Sequence, residues 1–199
     1  EQFIGDNPRT PAIVFDHQLW HDGEPLSADD VIFTLKTIQN PDYKSHLRGN
    51  YLGIEIEKID ELGIRFKLKS PYAGFPERLT FKILPKHIWE NISPQNFLLT
   101  NYNLRPVGSG PYLVASVVRS SSGIPSVYTL RSFNNYALGE PYLGTFTLRF
   151  YQSESALTTA LNRGEIESAS GISPANLSSI PKEHILTSPL NRVFGVFFN

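Results

Sequence analysis

The stretch Trp20-His21-Asp22-Gly23-Glu24-Pro25-Leu26-Ser27-Ala28-Asp29-Asp30-Val31-Ile32-Phe33 joins a tight turn to a helix start. Asp22-Gly23 is a turn pair at the end of an extended segment. Ser27 stands as an N-cap with Asp30 three residues on, as in a capping box, and Asp29 and Asp30 place negative charge at the positive end of the helix dipole. Val31, Ile32, Leu35 and Ile38 then share one face. The spacing predicts a docked helix of about three turns within residues 26–38.

Outward from this helix, residues 54–59 and 64–69 alternate apolar and polar with period two, which predicts an antiparallel hairpin joined by Asp60-Glu61-Leu62-Gly63. Pro85, in Leu84-Pro85-Lys86-His87-Ile88-Trp89, suits the first turn of a short helix. Residues 91–106 are polar and irregular and make a boundary between two lobes. Residues 112–118 and 127–131 read as paired strands around the polar tip Arg119-Ser120-Ser121-Ser122-Gly123-Ile124-Pro125. A βαβ unit follows: Phe146, Leu148 and Phe150 alternate in a strand, Ala156, Leu157, Ala160 and Leu161 mark a helix face, Gly164 stops the helix, and residues 166–169 resume extended structure. Residues 173–180 suit a second, shorter crossover into a strand ending at Phe198. Ligands of open α/β sheets sit beyond the carboxyl ends of the strands. Two places meet that rule: Ser170-Gly171-Ile172-Ser173, and Phe197-Phe198-Asn199.

The chain has 199 residues, 40% hydrophobic and 12% aromatic, enough for one substantial core or two small ones. A net charge of −1 with scattered basic residues gives no reason to expect nucleic acid. Neither a spanning apolar run nor a signal segment is present, and the absence of Cys is compatible with an oxidising compartment. Glu1 and Asn199 both read as cut ends.

Catalytic readings are thin. His21-Asp22 lacks further ligands at metal-binding spacing, and His17, His46, His87 and His184 stand singly as surface or locally hydrogen-bonded residues. Gly108-Ser109-Gly110-Pro111 matches neither a nucleophile elbow nor a phosphate loop and reads as a turn entering a strand. Adjacent Asp29 and Asp30 point apart on a helix and suit capping better than an acid pair. Glu165 and Glu167 share a strand face but have no partner group, so an enzyme has no nominated residues. No metal site and no cofactor are expected.

Taken together, three segments resemble the solute-binding proteins that serve dipeptide, oligopeptide and nickel ABC importers (family 5). They are the stretch 20–33, Pro106-Val107-Gly108-Ser109-Gly110-Pro111-Tyr112, and Ala160-Leu161-Asn162-Arg163-Gly164-Glu165-Ile166-Glu167. The chain departs from the family pattern with Ser109 where Thr is usual and Glu167 where Asp is usual. Leu84-Pro85-Lys86-His87-Ile88 and residues 134–143 are weaker echoes, and the resemblance spans residues 12–199.

The resemblance implies a mixed α/β fold of the type II periplasmic-binding-protein class. Residues 1–104 would form an accessory α+β domain and 105–199 the central part of the first ligand-binding lobe, without the second lobe. It implies capture of peptides outside the cytoplasmic membrane and delivery to an ABC permease by hinge closure, without chemistry. Ser170, Gly171, Ile172, Ser173, Phe197, Phe198 and Asn199 would line the cleft. The protein would be periplasmic or extracellular, with lipid anchoring as one option, and the 199 residues monomeric. An oligosaccharide or a nickel complex is the alternative ligand; an enzyme using Glu165 and Glu167, or a regulatory domain derived from the same fold, are the competing classes.

Overall fold

Element order in the computed structural model follows the hydrophobic periods of the chain. Structure is described for residues 2–3, 12–14, 18–70, 73–181 and 185, with the backbone alone at 2–3, 12–14 and 179. Strands β1 (Gln2–Phe3) and β2 (Ala12–Val14) precede helices α1 (Ala28–Gln39) and α2 (Arg48–Tyr51). Next come strands β3 (Glu55–Lys58) and β4 (Gly63–Lys67), then the single-turn helices α3 (Phe75–Arg78) and α4 (Lys86–Trp89). Strands β5 (Tyr112–Arg119), β6 (Pro125–Ser132) and β7 (Thr145–Arg149) lead to helix α5 (Glu154–Asn162) and a 3-10 turn at Pro174–Ser179. Two compact units divide the chain, Glu1–Leu148 and Arg149–Asn199.

In the first unit, β1, β2, β4 and β3 lie side by side in that order, all antiparallel, with Ile56 opposite Phe66 and Ile13 opposite Ile64. Period-two alternation puts Ile64 and Phe66 on the buried face of β4. Against them pack Val31, Leu35 and Ile38 from α1, then Tyr51 and Phe75. Each such side chain, taken fully out of water, contributes about 1.5–3 kcal/mol before entropy is counted. Ser27 is the N-cap of α1 as expected, and its N–H donates to Asp30 Oδ2 at 2.9 Å, the reciprocal arm of the capping box. Lys58 on β3 bonds Asp29 at 3.0 Å and Glu61 at 2.7 Å, joining the first turn of α1 to the hairpin.

The second sheet orders β5-β6-β7. β5 and β6 pair antiparallel with a register shift between Val114 and Ser116, and the polar tip closes through Ser120 N–H to Ile124 O at 2.8 Å. β7 departs from expectation. It ends at Arg149, before Phe150, and all five of its residues are exposed, Phe146 and Leu148 included. Alternation in sequence supplies an apolar face, but only a neighbouring layer buries it; among the described residues Phe146 has one ring neighbour, Tyr112, at 6.4 Å.

In the second unit, Ser153 caps α5 by accepting the Ala156 N–H at 3.2 Å. The helix ends in a Schellman motif: Gly164 N–H reaches Leu161 O and Glu165 N–H reaches Ala160 O, each at 3.0 Å. Gly164 sits at φ +69°, and an added Cβ would meet nothing within 4 Å, so its cost is purely conformational. Gly164→Ala should therefore lower stability by about 1–2 kcal/mol in urea unfolding, with Gly164→Asn losing less. An unchanged midpoint for the Ala variant would contradict this account of the helix stop.

Residues 166–169 form no ladder with the described strands; they bend at 166–167 and continue as irregular chain. The βαβ reading is corrected there: alternating side chains permit a strand, but a strand exists only through a paired neighbour. Where the second, shorter crossover was expected, residues Pro174–Ser179 form a 3-10 turn. The expected strand ending at Phe198 lies outside the described residues. Among the described residues, no helix is long and apolar enough to cross a membrane.

Candidate functional site

Three of the segments quoted from the sequence, 20–33, 84–88 and 106–112, meet in the first unit. The turn after Leu19 closes with Gly23 N–H on Trp20 O at 2.9 Å, inside a bridge between Leu19 and Pro25. This buries Trp20, whose indole N–H donates to Asp30 Oδ2 at 3.3 Å. Asp30 is 4% exposed; its other oxygen accepts the Lys86 N–H at 2.7 Å, and Thr34 Oγ1 accepts the Leu84 N–H at 2.8 Å while donating to Asp30 O. The residues before α4 are thereby tied to the first turns of α1.

His21 fastens the same turn to residues 108–110. Its N–H donates to Gly108 O at 2.8 Å, Gly108 N–H donates to Nδ1 at 3.2 Å, and Nε2 lies 3.0 Å from Gly110 O. Because Nδ1 must accept, the proton sits on Nε2, which donates to the carbonyl. Phe133 meets the ring edge-on at 5.0 Å. Asp22 pairs with His87 Nε2 at 2.9 Å. His87 is thus hydrogen-bonded as read, but to a residue 65 positions away, a contact invisible to local spacing. These groups satisfy one another and offer no open coordination or nucleophile.

The expected ligand loop lies in the second unit. Ser170 and Gly171 are exposed, Ile172 and Ser173 half-buried, and Gly171 adopts φ +77°. Ser173 is the N-cap residue of the Pro174–Ser179 turn. Glu154, at the first position of α5, was not singled out by sequence reasoning. Its Oε2 accepts the Ser173 N–H at 3.1 Å, the Ser173 hydroxyl at 2.7 Å and the Asn176 amide. The Ser173 hydroxyl first, then Asn176, then the Ser173 N–H hold this carboxyl below its ordinary value, while burial pushes weakly the other way. An acid after the N-cap Ser153 was the available signal, but it reads equally as a helix-dipole residue. Phe197, Phe198 and Asn199 lie outside the described residues, as do His17 and His184.

Glu165 and Glu167 are exposed, and Arg163 pairs with Glu165 at 3.8 Å. No group of three metal-ligating side chains occurs among the described residues.

Residues 17–199 match the family described as bacterial extracellular solute-binding proteins, family 5 Middle. The chain belongs to family 5 of these solute-binding proteins. It is 30% identical over 151 residues to the oligopeptide-binding protein AppA of Bacillus subtilis, a match covering 74% of this chain and 27% of the relative. The structure of that AppA in complex with a nonapeptide superposes with a TM-score of 0.70 at 28% identity, over 83% of this chain and 33% of AppA. Solved structures similar to it also include NikZ of Campylobacter jejuni in complex with Ni(L-His), with TM-score 0.67, 27% identity, 82% of this chain and 32% of NikZ. An oligopeptide ABC-transporter binding protein of Thermotoga maritima with mannohexaose bound gives 0.68 and 25%, over 83% and 31%. The chain therefore spans about a third or less of the length of these relatives. Its fold is that of the type II periplasmic-binding proteins, in the α/β class, as the sequence implied.

Proposed function

We propose that this protein is the substrate-binding component of an ABC importer, capturing peptides outside the cytoplasmic membrane and handing them to the permease. The observation that carries this reading is the family match across residues 17–199, joined to the similarity with a relative solved around a nonapeptide. Binding rather than chemistry is the task, through closure of two lobes over the ligand. Residues 170–173 and 197–199 would line the cleft, 1–104 would be the accessory domain, and 105–199 part of the first ligand-binding lobe. The protein would work in the periplasm or at the cell exterior, either free or lipid-anchored.

A second cargo is favoured by specific relatives: the nickel–histidine and mannohexaose complexes make a nickel chelate or an oligosaccharide the alternative. The test is a thermal-shift series on the protein as expressed from its gene, with alanine di- to pentapeptides, mannohexaose and nickel–histidine. A ligand of the folded state at a hundred times its Kd stabilises by about 2.7 kcal/mol, a shift of several degrees. Peptides alone should produce it. A shift with sugar or nickel alone keeps the family and replaces the substrate; a shift with none of the probes counts against the proposal. Residues 1–199 by themselves should bind no tighter than millimolar, since a half-clamp leaves its ligand wet.

A further inference from the structure

We propose that Glu154 is the positioning residue of the ligand loop, holding residues 170–173 in their binding conformation through Ser173 and Asn176; this rests on the assignment of that loop to the ligand. Helix α5 is fixed at both ends by its own caps, the Ser153 hydroxyl and the Schellman turn at Gly164. Glu154 is therefore not needed as a cap. Its carboxylate instead reaches 19 residues along the chain to close the segment between helix and loop. Residues 165–172 make no strand ladder with the described residues, and this contact ties the far end of the segment back to the helix. Asn176 also donates to the Ser173 hydroxyl at 3.2 Å, which completes a triangle of Glu154, Ser173 and Asn176. The exposed Ser170 and Gly171 are thereby presented from a fixed end rather than a free one, which lowers the ordering cost of ligand capture.

The ionised carboxylate is the form that accepts all three bonds. Ser173 and Asn176, which face it from the Pro174–Ser179 turn, are neutral, and no charged group among the described residues acts on its titration. Its folded pKa lies below the unfolded one, so the anchor is fully present above the ordinary glutamate range. It is lost as pH falls through the depressed value.

The test uses the protein as expressed from its gene and alanine di- to pentapeptides as probe. Glu154→Gln should weaken peptide affinity about tenfold and abolish the acid-side fall in affinity expected of the unaltered protein. Ser173→Ala, a milder change, should also weaken binding and shift the neighbouring backbone amide signals without lowering helix content. Ile172→Asp reports on the loop assignment itself. If Ile172→Asp weakens binding but Glu154→Gln keeps both affinity and pH profile, the positioning role is wrong and the loop assignment stands. If neither variant changes affinity, the loop assignment falls and the positioning role with it.

Discussion

Asp30→Ala is expected to lower the unfolding free energy by about 3–5 kcal/mol, since it strands two or three buried donors at about 1–3 kcal/mol each. The carboxylate accepts from the indole of Trp20, from Ser27 N–H and from Lys86 N–H while only 4% exposed. No cation pairs with it among the described residues, so these donors and the N-terminal end of α1 replace its hydration. Asp30→Asn should recover little, because its amide nitrogen turns a donor toward other donors. Trp20→Phe removes a single donor and should cost less than either. The comparison is made by urea unfolding of the three variants. A loss below about 1 kcal/mol for Asp30→Ala would mean that the donors find water, and that the turn, helix and Lys86 segment are not one knot.

Phe66→Ala should cost a similar amount, about 3–5 kcal/mol, for a different reason. Phe66 is 1% exposed on β4, in contact with the α1 face and edge-on to Phe75 at 5.4 Å and 69°. Truncation loses both the transfer free energy and the contacts of the ring's neighbours. Phe66→Leu, which fills most of the space, should lose less than about 1.5 kcal/mol. Equal losses for the two variants would show that this core collapses around a cavity and that the ring's shape is not what packs it.

The elements that the sequence described well are those whose signals are local. Ser27, Asp30 and the Val31, Leu35, Ile38 face gave α1 within two residues, and the alternation around Ile64 and Phe66 gave the hairpin. Gly164 marked the end of α5 because a left-handed residue there closes the Schellman bonds. Residues 166–169 failed for the complementary reason: their pattern says which face would be buried, while a strand requires a partner that no local pattern names. β7 shows the same gap, since Phe146 and Leu148 alternate as a core face does and are nonetheless exposed.

The site divides along the same line. Residues 170–173 were read as a loop at the end of a strand that does not form among the described residues, and Glu154 was not singled out at all, because its bonds to Ser173 and Asn176 span 19 and 22 positions. Similarly, His21 and Asp22 read as part of a turn that lacks further metal ligands, with no partner named by local spacing. Their partners turned out to be Gly108, Gly110 and His87, which make them fasteners between segments. By itself the sequence determined the Ser27 cap, the buried faces of α1 and β4, the stop at Gly164 and the family, since each is written in residue types at short or fixed spacing. Only the tertiary structure decided what Asp30, His21 and Glu154 hold, because a hydrogen bond between distant segments depends on where the packed core brings their backbones together.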